Sequence, residues 1–397
     1  MLWQPSLDEK YLRMSSAELA AAIALRRAEL GDRLIILGHH YQTDDVIRHA
    51  DFTGDSLKLS QLAAERVAQR GAEFVVFCGV HFMAETADLV APEGTKVILP
   101  DLSAGCSMAD MADYDDALQA WDDIHASLRA DGWSGRIVPI TYVNSTAAIK
   151  AFVGRNGGAC CTSSNARQVL EWALRGGDAP TPRKRAAGDV KILFLPDQHL
   201  GRNTAAAMGL DVATQTCVYD PRRTRLGDAL GGATPEQLLA STAILWAGHC
   251  SVHKLFRAEH CAALRGNDPA MKILVHPECD KSVVDMADLA GSTEFIIRTI
   301  REAPAGSRWA VGTEFHLVHR LAREARDRGV QVQVLSGCQC LCTTMFRIDE
   351  PHLLWTLDNL AEGKIVNRVR VHDDARADAA LSIRRMLDLT ASPVAVD

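Results

Sequence analysis

No stretch of this sequence approaches the roughly 18 consecutive apolar residues that mark a membrane-spanning helix. The opening residues, MLWQPSLDEKYLRM, show no basic segment followed by an apolar one, so no secretory leader is expected. Low-complexity tracts are missing, and so is any repeat visible at the residue level. Basic residues number 43 against 50 acidic ones, a formal net charge of −7. That balance argues against a nucleic acid or an anionic membrane as partner. Together these absences predict a soluble, cytoplasmic protein.

Paired cysteine knuckles are lacking too. The 11 cysteines lie at positions 78, 106, 160, 161, 217, 250, 261, 279, 338, 340 and 342. They are odd in number and scattered through a large apolar chain, whereas stapling disulfides belong to small secreted domains. Disulfides are therefore the weakest reading, even for LSGCQCLCTTM, where Cys338, Cys340 and Cys342 alternate. Structural zinc uses C-x2–4-C pairs, and this C-x-C-x-C has no matching second knuckle. A cluster of several irons needs only one thiolate from here, because iron–sulfur ligands need not be contiguous. Spacing alone leaves zinc, a cluster and inert thiols open.

What the chain does contain is buried-strand sequence. At 397 residues, 47% hydrophobic and 23% charged, it can bury a large core and exceeds one small domain. From Arg33 onward, short β-branched runs end in polar residues or glycine, and helical stretches follow. RLIILGHHYQ precedes GDSLKLSQLAAERVAQRG, and EFVVFCGVHF precedes MAETADLVA. KVILP, RIVPITYV, KILFLP, AILWAG, MKILVHP, RWAVG and VQVLS continue the series. Continuous apolar runs are what fully buried parallel strands look like, with helices as crossovers. The expected class is α/β, built from several αβα modules with short parallel sheets. Two segments rich in Gly, Pro and Arg, about 176–189 and 219–237, read as surface insertions.

Ligands of open α/β sheets bind beyond the carboxyl ends of the strands. Reactive residue types gather at those positions: His39, His40 and Tyr41, then His81, Cys106, Tyr142 and Asn144. Asp197 and His199 follow, then His249, Cys250 and His253, then His276 and Glu278, and finally the C-x-C-x-C segment. Cys78, Cys160, Cys217 and Cys261 read as small buried hydrophobes. His316 and His319, three apart, read as a partly exposed helical face. His39 and His40 point opposite ways on an extended segment, so at most one enters a given site.

The strings GHHYQ, FTGDSLKLS, AGCSMADM, TYVNSTAAIKA, CTSSNA, PDQHLG, WAGHCSVH, HPECD, AGSTEF, GTE and CTTM, in this order, resemble quinolinate synthase, an iron–sulfur enzyme family of NAD biosynthesis. The resemblance runs from about residue 20 to 390 and includes the tail LLWTLDNLAEGKIVNRVRV. It implies three αβα domains in pseudo-threefold arrangement around a central cluster site. The implied boundaries are 21–105 with 347–397, then 106–249 carrying both insertions, then 250–346. It further implies one 4Fe-4S cluster on Cys106, Cys250 and Cys342, leaving Cys338 and Cys340 without an assigned role. The first ligand gap is longer than the second, and the excess falls in the middle domain. Some relatives carry C-x-x-C-x-x-C near the last ligand, so the choice of Cys342 rests on the following TTM.

The implied reaction joins iminoaspartate to dihydroxyacetone phosphate, losing phosphate and two waters to give quinolinate. An open iron would serve as Lewis acid. By the same match, His39, Tyr41, Ser56, Tyr142, Asn144, Ser163, His276, Ser292 and Thr293 line the substrate pocket. Glu278 is the expected general base, with Tyr41 and His276 as proton shuttles beside His39. Ser56 opens a helix whose free N–H groups favour an anion, and Ser292 and Thr293 offer similar donors after Gly291. His253 is expected to orient the loop around Cys250. An L-aspartate oxidase is the implied functional partner. The rival enzyme reading is another 4Fe-4S Lewis-acid hydro-lyase acting on a small hydroxy acid. A non-catalytic iron–sulfur sensor fits poorly, since sensors usually pair the cluster with a basic surface.

Overall fold

The computed structural model describes residues 4–178, 189–337 and 340–391. Cys338 and most of the 176–189 insertion therefore lie outside the described residues. In chain order the strands are β1 (Leu34–His39), β2 (Phe52–Gly54), β3 (Phe74–Cys78), β4 (Lys96–Ile98) and β5 (Arg136–Tyr142). Next come β6 (Ala159–Cys161), β7 (Val190–Leu195), β8 (Thr216–Tyr219), β9 (Ala243–Trp246) and β10 (Lys272–Val275). The last are β11 (Leu289–Ala290), β12 (Arg308–Gly312), β13 (Gln331–Val334) and β14 (Arg368–Val369). They fall into three sheets of mostly parallel strands alternating with helices, so the chain adopts the expected α/β class of αβα modules.

Packing divides the chain into two compact units. One takes its residues from 1–106, 268–272 and 293–372, the other from 107–267, 273–292 and 373–397. In the first unit the sheet order is β14-β4-β3-β1-β2, with only β14 antiparallel. All six residues of β1 are buried, as the apolar run requires. Register sets His39 opposite Gly54, so the end of β1 meets the start of the Ser56–Arg70 helix. Asp55 caps that helix by accepting the Lys58 N–H at 3.0 Å. β12 pairs with β13 in parallel and ends just before Thr313 and Glu314, the latter capping the Phe315–Arg326 helix.

The second unit contains the parallel sheet β6-β5-β7-β9-β8. Register places Tyr142 opposite Cys161, and a further bridge joins Asp197 to Gly248. The carboxyl ends of its strands thus deliver Tyr142, Asp197 and the Cys250 loop to one edge. Helix Tyr114–Ala130 covers this sheet with Ala117, Ala120, Ile124 and Leu128, spaced to share one face, packed onto Ile137, Leu193, Ile244 and Trp246. Helix Asp373–Ala391 lies against Ala147–Arg155 so closely that a Cβ on Gly154 would stand 1.9 Å from the Asp378 carbonyl oxygen. Helix Glu350–Ala361, by contrast, packs on Ser16–Leu30 in the first unit.

Five strands were not visible as apolar runs: β2, β6, β8, β11 and β14. Each is two to four residues long and outermost in its sheet, so it buries too little to leave a sequence signature. The 219–237 segment forms two short helices, Pro221–Thr224 and Pro235–Ala240. Among the described residues, no helix is long and apolar enough to cross a membrane.

Candidate active site

In the second unit the geometry centres on Glu278. Its strand, β10, ends at Val275, and the turn His276–Cys279 is fastened by Asn203, whose side-chain amide donates to the Pro277 and Cys279 carbonyls at 2.8 Å each. Glu278 is 3% exposed. Tyr142, at the end of β5, donates its hydroxyl to Oε1 at 2.5 Å, and His253 Nδ1 lies 2.9 Å from Oε2. Burial opposes ionisation of this carboxyl, but the His253 and His276 rings and the Tyr142 hydroxyl outweigh it and hold the group below the usual carboxylate range.

His276 is fixed in one tautomer by its neighbours. The Glu278 backbone N–H donates to Nδ1 at 3.3 Å, so the ring proton sits on Nε2, 3.2 Å from Ser163 Oγ. Burial pushes this imidazole down to about 3, which leaves it neutral at physiological pH. Its ring stacks on that of His253 with centroids 4.5 Å apart.

Asp197 is fully buried, and one of its oxygens accepts the backbone N–H groups of His199 at 2.7 Å and Leu200 at 3.0 Å. The Cys250 N–H also bonds to its carboxyl. Its other oxygen has no hydrogen-bond partner among the described residues. Burial, then the charge of Glu278, raises Asp197 well above the usual carboxylate range. The surroundings therefore push the two carboxyls in opposite directions, Asp197 up and Glu278 down. The side-chain oxygen of Asn144, two residues after Tyr142, is buried without a partner among the described residues. That oxygen is an acceptor looking for a donor.

In the first unit, Tyr41 leaves β1 with its backbone N–H donating to His39 Nδ1 at 3.2 Å and its ring edge-on to the imidazole. The Tyr41 hydroxyl sits 3.2 Å from Thr293 Oγ1 and 2.9 Å from Thr313 Oγ1. His40 turns elsewhere, to Glu294 at 3.0 Å. Ser56 is half-buried at the first position of its helix. Cys106 and Cys342 belong to this unit, whereas Cys250 and Ser292 belong to the second.

Cys78, Cys160, Cys217 and Cys261 are all buried, as small hydrophobes should be. Three residues escaped the sequence reading. Thr313 orients Tyr41, and Asn203 fastens the Glu278 turn. Glu314 is buried beneath the Cys342 loop, where burial raises its carboxyl to about 8 against hydrogen bonds from the Leu317, His316 and Cys342 backbones. All three lie within or beside the strings GTE and PDQHLG, so position offered a signal that residue type did not. His253, expected only to orient a loop, bonds Glu278 directly.

A family model described as quinolinate synthetase A protein matches residues 22–388. A quinolinate synthase of Nocardioides sp. is 52% identical over 366 residues, covering 91% of this chain and 87% of that protein. The quinolinate synthase of Halalkalibacterium halodurans is 49% identical over 382 residues, with 96% of each chain covered. That of Rhodopirellula baltica is 47% identical over 387 residues, covering 95% of this chain and 92% of the relative. The chain therefore belongs to the quinolinate synthetase A protein family of enzymes.

Proposed function

We propose that this enzyme condenses iminoaspartate with dihydroxyacetone phosphate to quinolinate, releasing phosphate and two waters, with a 4Fe-4S cluster held by Cys106, Cys250 and Cys342. The observation that carries the cofactor reading is the exposure of the cysteine residues. Of the ten described cysteines, these three are partly exposed and the other seven are buried. A ligand thiolate must reach a cofactor, whereas a packing thiol need not. Cys340, the rival to Cys342, is fully buried with its sulfur 3.1 Å from Ser336 Oγ. The Cys342 sulfur instead receives backbone N–H groups from Met345 and Thr344, donors of the kind that tune cluster sulfurs. When bound, a cluster with three protein thiolates supplies one open iron as a Lewis acid.

The protein's own groups divide the remaining work. Glu278, ionised and shielded from water, takes the proton from carbon in the imine–enamine and enediol steps. Tyr142 steadies the carboxylate, and Asn144 offers its unsatisfied oxygen to a substrate donor. Neutral His276 presents Nε2–H together with Ser163 and serves as a hydrogen-bond donor to the substrate. Tyr41, backed by Thr293 and Thr313, and His39 supply further donors. The helix start at Ser56, with Ser292 and Thr293, receives the phosphate or carboxylate groups. An L-aspartate oxidase is the functional partner of this reading, and the cytoplasm its location.

Anaerobic purification should yield about four irons and four sulfides per chain. Cys106→Ala, Cys250→Ala and Cys342→Ala should each abolish their retention, while Cys340→Ala should not. Phosphate release that depends on iminoaspartate separates this reaction from a hydro-lyase. A chain that holds no iron and sulfide even after anaerobic reconstitution, or cluster loss in Cys340→Ala alone, overturns the reading.

A further inference from the structure

Cys250 and His253 form a Cys-x-x-His pair on one short turn. The turn is closed by the Lys254 N–H donating to the Cys250 carbonyl at 3.1 Å, and a 3-10 segment runs from His253 to Leu255. Two intervening residues is the spacing by which zinc knuckles present both ligands to one ion. Glu278 reaches the same spot from the end of β10. One ligand atom from each of the three residues lies within 4.8 Å of the other two. Around tetrahedral zinc, with bonds of about 2.0–2.3 Å, ligand atoms stand roughly 3.5 Å apart.

We propose that the chain, when free of a cluster, binds one divalent ion of the zinc class through Cys250, His253 and Glu278. The donor set is one thiolate, one imidazole and one carboxylate, so its two negative charges neutralise the ion in a site where His253 and Glu278 are 1% and 3% exposed. Cys250 is partly exposed, which leaves the fourth position to water. Binding moves the Cys250 thiol proton to solvent and forms one metal–sulfur bond, with no change of oxidation state. All three ligands belong to the second unit, so the site needs no residue of the first. The ion would occupy one cluster thiol and the proposed base together, and zinc-loaded enzyme would stay inactive until chelated.

Cobalt(II) titration of the cluster-free chain under anaerobic conditions tests this. One equivalent should produce a thiolate-to-cobalt charge-transfer band in the near ultraviolet, displaced by zinc. Cys250→Ser should remove the band, and His253→Ala and Glu278→Gln should each weaken binding at least about tenfold. Cys106→Ser and Cys342→Ser should leave it intact. No band, or one indifferent to His253→Ala or Glu278→Gln, overturns the proposal. So does a band lost in Cys106→Ser or Cys342→Ser, since the ion would then sit among the three cysteines. Glu278→Gln preserves shape, and circular dichroism checks that each variant is folded. The result is independent of the cluster reading, which iron and sulfide analysis decides separately.

Discussion

Replacing Tyr142 by Phe removes one oxygen and keeps the ring that packs at the end of β5. The lost bond is short, 2.5 Å, and joins a phenol to a carboxylate in a site closed to water. A hydrogen bond to a charged group contributes about 1.5–3 kcal/mol. Because the bond is made to the ionised form, its loss disfavours that form, and the Glu278 carboxyl must titrate higher. At 1.36 kcal/mol per pKa unit, the rise is about 1–2 units. If Glu278 is the base, the acidic limb of the kcat/KM profile reports its ionisation in the free enzyme. That limb should move up by about 1–2 pH units in Tyr142→Phe, with cluster content unchanged. An acidic limb that stays in place, with activity lowered equally at every pH, refutes the reasoning: Tyr142 would then bind substrate without governing Glu278.

Thr313→Val deprives the Tyr41 hydroxyl of its 2.9 Å partner and keeps the longer contact to Thr293 at 3.2 Å. A neutral hydrogen bond is worth about 0.5–1.5 kcal/mol, so turnover should fall roughly 2- to 10-fold and recover in Thr313→Ser. Gly154→Ala puts a methyl group into the Asp378 carbonyl and must separate two helices, a cost of about 1–3 kcal/mol visible as a lower thermal midpoint. Glu350 bonds Arg48 at 2.6 Å, His49 at 2.7 Å and Ser16 at 3.0 Å. Burial opposes its ionisation, but these bonds prevail and lower its pKa in the folded chain. Its stabilisation is therefore present above the unfolded carboxylate value and fades as the pH drops through the folded one. Urea midpoints measured between neutral and acid pH should fall less steeply in Glu350→Gln.

The strands that build the site were readable because each is buried on both faces. LIILGH, FVVFC and VKILFL cannot be mistaken for solvated segments, and the reactive residues that follow them mark the carboxyl ends. What stayed hidden acts through other residues. Thr313 is one hydroxyl in a chain rich in them, and nothing in its type says that it faces Tyr41. Asn203 lies on a helix, six residues past Asp197 of the strand-end pair PD, and its target is a turn more than seventy positions away. Nor does sequence say that His253 meets Glu278, because that contact depends on how β9 and β10 end in space. The edge strands illustrate the same limit. A two-residue strand such as β11 is defined by its neighbour, not by its own composition.

Asp197 and Glu278 show what such pairing decides. Both are buried carboxyls, and the charge of Glu278 disfavours ionisation of Asp197. Glu278 has Tyr142 and His253 to favour its anion, while one oxygen of Asp197 has no hydrogen-bond partner among the described residues. Burial and the Glu278 charge thus favour the protonated form of Asp197, while Tyr142 and His253 favour the anion of Glu278. Asp197→Asn tests this assignment. The amide keeps the oxygen that accepts the His199 and Leu200 N–H groups, and it is neutral at every pH. If Asp197 is already protonated, Glu278 should feel no change of charge, and the acidic limb of kcat/KM should stay within about half a unit of its original position. If Asp197 were ionised, removing its charge would pull that limb down by a unit or more, and the roles of the two carboxyls would have to be exchanged.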